Sequence, residues 1–295
     1  MPSKVIHFEL TMTALSLGPW NHVSRIAGYV LQYIGDPDTE GMQDSYIVHD
    51  NGGIESGIVP HHEMREIAEA FQSYYYWNSV CYYLMGDYEK AGETLARALH
   101  YAQDSMFAYS EHDPLQDVEG EINKILATEK DSIIREALYK YAQQQQQEEV
   151  ELFPKPTSKP KQYLIRSLYI TYYLLKQFEK DINLAQSLTP DEIEKRLVRT
   201  LKLTRVTLIL FLLSLPFVII NYYITIFGIV VSMGIFAISV KSQLFKGAQP
   251  SEFTNLLWAL GYQSSRQADL RTVIVKIRGK RVTVTLQPYV KPCRS

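Results

Sequence analysis

The chain has 295 residues, 46% of them hydrophobic and 21% charged, with 30 basic and 32 acidic side chains. That length suits one large or two ordinary domains with a sizeable core, and the composition excludes a disordered or collagen-like chain. The net charge of −2 conceals a division: residues 1–154 hold 9 Lys/Arg against 25 Asp/Glu, a net of −16, and residues 155–295 hold 21 against 7, a net of +14. A uniform single domain is not expected. The two cysteines, Cys81 and Cys293, lie far apart in sequence and do not read as a disulfide framework. Met1–His22 shows neither the basic stretch nor the unbroken apolar core of a signal peptide.

In chain order, His7–Leu17 is apolar at helical spacing and predicts a helix that carries His7. Gly52, Gly53 and Gly57 fall between Asp50 and His61 without the strand–turn–helix context of a phosphate-binding loop, and read as a cleft loop. His61 and His62 precede a long helix. Its aromatic run, Tyr74-Tyr75-Tyr76-Trp77 and Tyr82-Tyr83, reads mainly as core, with some rings available to a choline-like head group through cation–π contacts. Gly86–Asp104 is a helix in which Ala91, Leu95, Ala98, Leu99 and Ala102 mark the apolar face. Gln143–Gln147 with Glu148 and Glu149 closes a solvated helix, and Pro154–Pro160 is a stiff basic spacer. A helix follows over Gln162–Ser187. Another runs over Asp191–Thr204, started by Thr189, Pro190 and a capping-box Glu192.

Val206–Val240 contains 35 residues without Asp, Glu, Lys, Arg or His. A bilayer span takes about 20 apolar residues, so this length suits a helical hairpin, transmembrane or membrane-dipping, of two short segments turning near Asn221-Tyr222-Tyr223, with Pro216 as a kink. Lys195, Arg196, Arg199, Lys202 and Arg205 precede it, and Lys241 and Lys246 follow; the positive-inside rule puts both termini in the cytoplasm. Pro250–Gly261 predicts a short amphipathic helix with Trp258. Thr272–Leu286 alternates β-branched residues around Arg278-Gly279-Lys280, a β-hairpin whose basic tip suits anionic lipid head groups more simply than nucleic acid, with a merely solvated hairpin the alternative. The expected organisation is a helical metal-binding domain over 1–150, a linker over 151–162, juxtamembrane helices over 163–205, a membrane hairpin over 206–240, and a basic α+β segment over 241–295.

All seven histidines, His7, His22, His49, His61, His62, His100 and His112, lie in the acidic region. His100 and Asp104 stand one helical turn apart on one face, where imidazole and carboxylate can converge on one cation. His49 and His61 are immediate neighbours of Asp50 and His62 and so alternatives to them; His22 has no evident partner and reads as structural.

The ordered set His7-Phe-Glu-Leu-Thr-Met-Thr-Ala-Leu15, Asp50 twelve residues before His62, Gly86-Asp-Tyr…Leu-His-Tyr-Ala-Gln-Asp104, and His112 resembles the zinc-dependent phospholipase C family. That family includes the alpha-toxin phospholipases and shares its all-helical fold with single-strand-specific fungal nucleases. The resemblance spans roughly residues 5–125. It implies an all-α N-terminal domain in which Asp50, His62, His100 and Asp104 hold one Zn2+, Asp104 bridges to a second ion that also takes His7, and His112 belongs to a third. No histidine follows His112, so Asp117 and Glu121 are the residues at hand to complete that third site. Zinc takes imidazole and carboxylate, and close ions need a bridging carboxylate. Asp50 is the candidate general base. The implied activity is a membrane-anchored zinc-dependent hydrolase, a phosphodiesterase of phospholipids. The alternatives are a nuclease of the same fold, disfavoured because a net of −16 repels polyanions, and a non-catalytic membrane protein with a degenerate metal site.

Overall fold

Apolar residues at helical spacing account for most of the architecture. The computed structural model describes residues 4–50, 53–58, 65–106, 115–144, 157–188, 255–256, 258–261, 271–277 and 280–293. Among the described residues six longer helices are present: α1 (Lys4–Ser16), α2 (Val23–Tyr33), α3 (Arg65–Met85), α4 (Tyr88–Asp104), α5 (Leu115–Gln144) and α6 (Pro160–Ser187). Four strands join them: β1 (Ser45–Asp50), β2 (Gly53–Ile58), β3 (Thr272–Ile277) and β4 (Lys280–Gln287). Helix dominates, with one small sheet. The chain divides into two compact units, Met1–Ile182 with Ala259–Ser295, and Asn183–Trp258. In the second, the described residues are 183–188, which continue α6 to Ser187, and 255, 256 and 258, which are helical.

In the first unit, α4 is the central helix. Asp87 caps it by accepting the Lys90 N–H at 3.1 Å, after Gly86 turns the chain with φ +83°. Ala91, Leu95, Ala98, Leu99 and Ala102 are fully buried, as the spacing predicts. Gly92 has a steric reason. A Cβ there would lie 2.3 Å from Cβ of Tyr29, so α2 crosses α4 at a distance only glycine allows. The start of α2 is capped from a distance: Oε1 of Glu179 on α6 accepts from the N–H groups of His22 and Val23, both at 2.7 Å.

The sheet departs from the sequence reading. Residues 53–58 form β2 rather than a loop, and Tyr46↔Gly57 is a cross-strand pair. A Cβ at Gly57 would meet the Tyr46 hydroxyl at 2.4 Å and its ring at 2.5 Å, which only glycine avoids. The strand order is β2-β1-β4-β3, antiparallel throughout, with Ser45↔Gln287 and His49↔Thr283 joining the two hairpins. Val282, Val284 and Leu286 are buried with Tyr46 and Val48, the period-2 pattern of a sheet with one face on a core. The C-terminal hairpin is therefore part of the same unit as the N-terminal helices. The basic tip at 278–279, the helix expected over 191–204 and the hairpin over 206–240 lie outside the described residues. Among the described residues no helix is long and apolar enough to cross a membrane.

A second correction concerns the cysteines. Cys81 and Cys293 are disulfide-bonded across 212 residues. Three further bonds seat residues 290–293 on α3: Tyr74 donates to the Val290 carbonyl at 3.2 Å, Tyr82 to the Lys291 carbonyl at 3.0 Å, and Cys293 N–H to Oδ1 of Asn78 at 2.7 Å. Next to this seam Asp44 is buried and accepts from the hydroxyls of Tyr75 and Tyr101, from Tyr289 N–H at 2.6 Å and from Nη1 of Arg97 at 3.3 Å. A fully buried Arg97 and a buried Asp44 stabilise the fold only as a hydrogen-bonded pair, because either charge alone would be stranded. Closing so long a loop restricts the unfolded chain. Cys81→Ser is therefore expected to lower the unfolding free energy by about 2–5 kcal/mol, read by urea denaturation of the oxidised wild type and the variant.

Candidate metal centre

Three elements bring the site together. His7 comes from the buried face of α1, His100 and Asp104 from the last turn and a half of α4, and Asp38 from a short 3-10 turn, Asp36–Asp38, that follows α2. His7, His100 and Asp104 are fully buried, and the Asp38 side chain retains 17% exposure. Asp104 Oδ1 lies 3.3 Å from Nε2 of His7, and its Oδ2 lies 3.1 Å from Nε2 of His100. Oδ1 of Asp38 is 3.4 Å from the same His100 nitrogen. The two imidazoles overlap, with ring centroids 4.2 Å apart and planes inclined by 31°.

The hydrogen-bond network fixes which ring nitrogens face the carboxylates. His100 Nδ1 lies 2.9 Å from the Ile34 carbonyl, which can only accept, so Nδ1 carries a hydrogen. For His7 the argument runs through Gln103. The Thr171 hydroxyl donates to the Ser167 carbonyl at 2.7 Å, so toward Gln103 it accepts, from Nε2 at 2.9 Å. Gln103 Nε2 also reaches the Thr11 hydroxyl at 3.1 Å, which leaves Oε1 to accept from His7 Nδ1 at 2.7 Å. Both histidines thus donate through Nδ1 and point Nε2 inward, the arrangement that orients imidazole for metal ligation.

The spacing fits a shared cation. Two ligand atoms about 2.0–2.1 Å from a tetrahedral zinc lie about 3.3–3.4 Å from each other. The contacts of 3.1, 3.3 and 3.4 Å are of this order, the two from Asp104 being made by its two different oxygens. Nε2 of His7 makes no hydrogen bond among the described residues. His7, Asp38 and His100 have ligand atoms all within 4.8 Å of one another and could hold a metal ion. Two imidazoles and carboxylate oxygen form a donor set that suits zinc and other borderline divalent ions.

Without a metal, protons take the ion's place. Burial disfavours a charged His100, but Asp104 and Asp38 outweigh it and raise its pKa to about 10. Burial likewise disfavours the Asp104 carboxylate, yet the His7 and His100 rings hold it well below the ordinary carboxylate range.

Of the sequence-derived residues, His7, His100 and Asp104 come together. Asp50 is at the end of β1, paired with Gly53, and its side chain, like His62 and His112, is outside the described residues. His49 is exposed on the sheet beside Thr285, away from the cluster, and Glu121 is exposed on α5. His22 is structural, 3.0 Å from the Tyr83 hydroxyl. The aromatic run from Tyr74 to Trp77 is buried, and the Tyr75 ring clusters with those of Phe71 and Tyr101, so these rings are core. Two residues of the site escaped the sequence reading. Asp38 lies in an Asp-Pro-Asp turn whose signal is that of any acidic loop, and Gln103 was hidden between His100 and Asp104. Thr11, a polar residue one turn from His7 on an otherwise apolar face, was the available clue to Gln103. No protein-family model, curated protein or solved structure matches the chain.

A divalent ion must displace the His100 proton. Below pH 10 the apparent zinc affinity is expected to rise about tenfold per pH unit, with about one proton released per ion from His100, measured by titration calorimetry in buffers of different ionisation enthalpy. The metal-free protein should behave oppositely. The raised His100 pKa stabilises it fully below about pH 6.5, the ordinary imidazole value, and that contribution fades as pH climbs through about 10. The Asp104 contribution is present above the ordinary carboxylate value and fades in acid. Thermal unfolding after chelation should therefore lose stability between pH 7 and 10, and zinc should restore it.

Proposed function

We propose that the chain is a zinc-dependent phosphodiesterase, phospholipase C-like, that acts on phospholipid at a membrane to which residues 206–240 anchor it. The observation that carries this reading is Asp104, a buried carboxylate with each oxygen facing a different inward-pointing imidazole. Such a carboxylate would hold a divalent ion together with the imidazoles it faces. His7, His100, Asp38 and Asp104 would hold the zinc, one ion or two. A bound zinc supplies Lewis acidity, lowering the pKa of water and offsetting charge that develops on phosphate oxygens.

The chain's own residues set the rest. Asp38 is the one member of the cluster with solvent access, so water and a phosphate ester would enter from its side. Where it does not itself ligate the ion, its carboxylate would accept a proton from attacking water, the role the sequence reading gave to Asp50. Gln103, Thr11, Thr171 and the Ile34 carbonyl hold the imidazoles in one tautomer and one orientation. The uncharged segment supports the membrane setting, since tethering raises the effective concentration of a lipid substrate. Its basic flanks favour the cytoplasmic face, a setting in which the Cys81–Cys293 bond would have to resist reducing conditions.

The test uses the full chain in detergent with zinc present. It should hydrolyse short-chain phosphatidylcholine and a chromogenic phosphocholine ester. Asp104→Asn, close in shape, should fold by circular dichroism and lose activity on the order of 100-fold or more. Cleavage of single-stranded DNA with lipids untouched would replace this reading with the nuclease. No hydrolysis of any ester by zinc-loaded protein would leave the non-catalytic alternative.

A further inference from the structure

The turn that carries Asp38 has a lysine at its entrance. Lys4 opens α1 one helical turn before His7, so the two residues stand on the same side of the helix. Its side chain crosses Gly35, the residue between Ile34, whose carbonyl holds His100, and Asp36, which starts the turn. Gly35 has φ −99° and ψ 5°, a conformation open to other residues, so the backbone does not call for glycine there. A Cβ would lie 2.3 Å from Cγ of Lys4, 2.5 Å from Cδ and 2.8 Å from Cε. The glycine leaves the space that the lysine stem fills, and Lys4 is exposed to solvent.

The charges around this turn leave Lys4 a task. Asp38, the solvent-accessible corner of the cluster, lies three residues beyond Gly35, and Asp36 is buried beside it. Arg97, Lys4 and His100 all attract the Asp36 carboxylate. Arg97 is fully buried and bonded to the Met42 carbonyl at 3.0 Å and to Asp44 at 3.3 Å, and His100 belongs to the cluster. Of these three, Lys4 is the one that presents its charge to solvent. A phosphate diester entering past Asp38 meets carboxylates in a region of net −16, so a cation at the opening decides whether it is drawn in. We infer that the Lys4 ammonium receives the phosphate of the substrate at the opening of the cluster and so selects an anionic ester for that site. An ammonium is a compact charge with three donors, suited to phosphate oxygens. Lys4 binds the ester and takes no part in bond making.

The inference rests on the proposed function and names the group that recognises its substrate; phosphate binding, read apart from hydrolysis, separates the two. The test uses the full zinc-loaded chain in detergent, with inorganic phosphate as the probe and titration calorimetry as the readout. Lys4→Gln is expected to weaken phosphate binding about tenfold, the worth of one charge-assisted hydrogen bond, with zinc content and thermal unfolding as in the wild type. Lys4→Arg, which keeps the charge, should retain most of the affinity. Raising the ionic strength should weaken binding to the wild type more than to Lys4→Gln. With the chromogenic phosphocholine ester, Lys4→Gln should raise KM more than it lowers kcat, because the lysine holds the ester before and during the chemical step alike. Wild-type phosphate affinity in zinc-loaded Lys4→Gln would overturn the inference and leave the proposed function standing. Loss of thermal stability with phosphate affinity unchanged would also overturn it and make Lys4 a partner of Asp36 only. Tenfold weaker phosphate binding in a chain whose wild type hydrolyses no ester would uphold the lysine and overturn the proposed function. A wild-type chain that takes up no zinc and binds no phosphate would overturn both.

Discussion

The buried carboxylate of Asp104 sets what surrounds it. An anion with no solvent access is tolerated only where cationic or strongly donating groups meet it, and here those groups are His7 and His100, themselves fully buried. Each imidazole must in turn be held by its other nitrogen, which accounts for the Ile34 carbonyl, for Gln103, and for the two threonines that orient the Gln103 amide. Residues from α1, α4 and α6 and the turn after α2 are thereby committed to one cluster. A proton on His100 or a divalent ion can complete it, and the competition between them links stability, pH and metal binding.

The second buried charge system supports the first from a distance. Asp44 lies six residues beyond Asp38, between the 3-10 turn and β1, and draws donors from α3, from α4 and from the C-terminal segment. The Cys81–Cys293 bond and the tyrosines of α3 fix that segment in place. The stretch bearing Asp38 is thus anchored at one end by α2 and at the other by a seam that includes residues more than 240 positions away. A fragment ending near residue 150 would lack β4, Tyr289, Cys293 and α6, so the full chain is the right object for metal and activity measurements.

Local periodicity made α1, α3, α4 and α6 legible, whereas α2 was not read from it. His7, His100 and Asp104 were legible too, because an i, i+4 pair on a helix places its own ligands and the ordered resemblance supplied the third. What depended on distant pairing was not. The strand character of 45–50 is completed by β4, and the disulfide joins residues 212 apart; no local pattern encodes either. Asp50 was named by residue counting to His62, whereas Asp38, which the sequence reading did not consider, is the carboxylate that lies near His100. The turn chemistry of Asp36-Pro37-Asp38 carries no trace of the imidazole it meets.

The most direct measurement is zinc-edge X-ray absorption on the purified full chain at pH 7.5, compared with His7→Ala and His100→Ala. Zinc bound at this cluster predicts nitrogen and oxygen ligands at about 2.0–2.1 Å, an imidazole scattering contribution, and loss of part of that contribution in each variant. A chain that takes up no zinc, or whose zinc spectrum is unchanged in both variants, would contradict it.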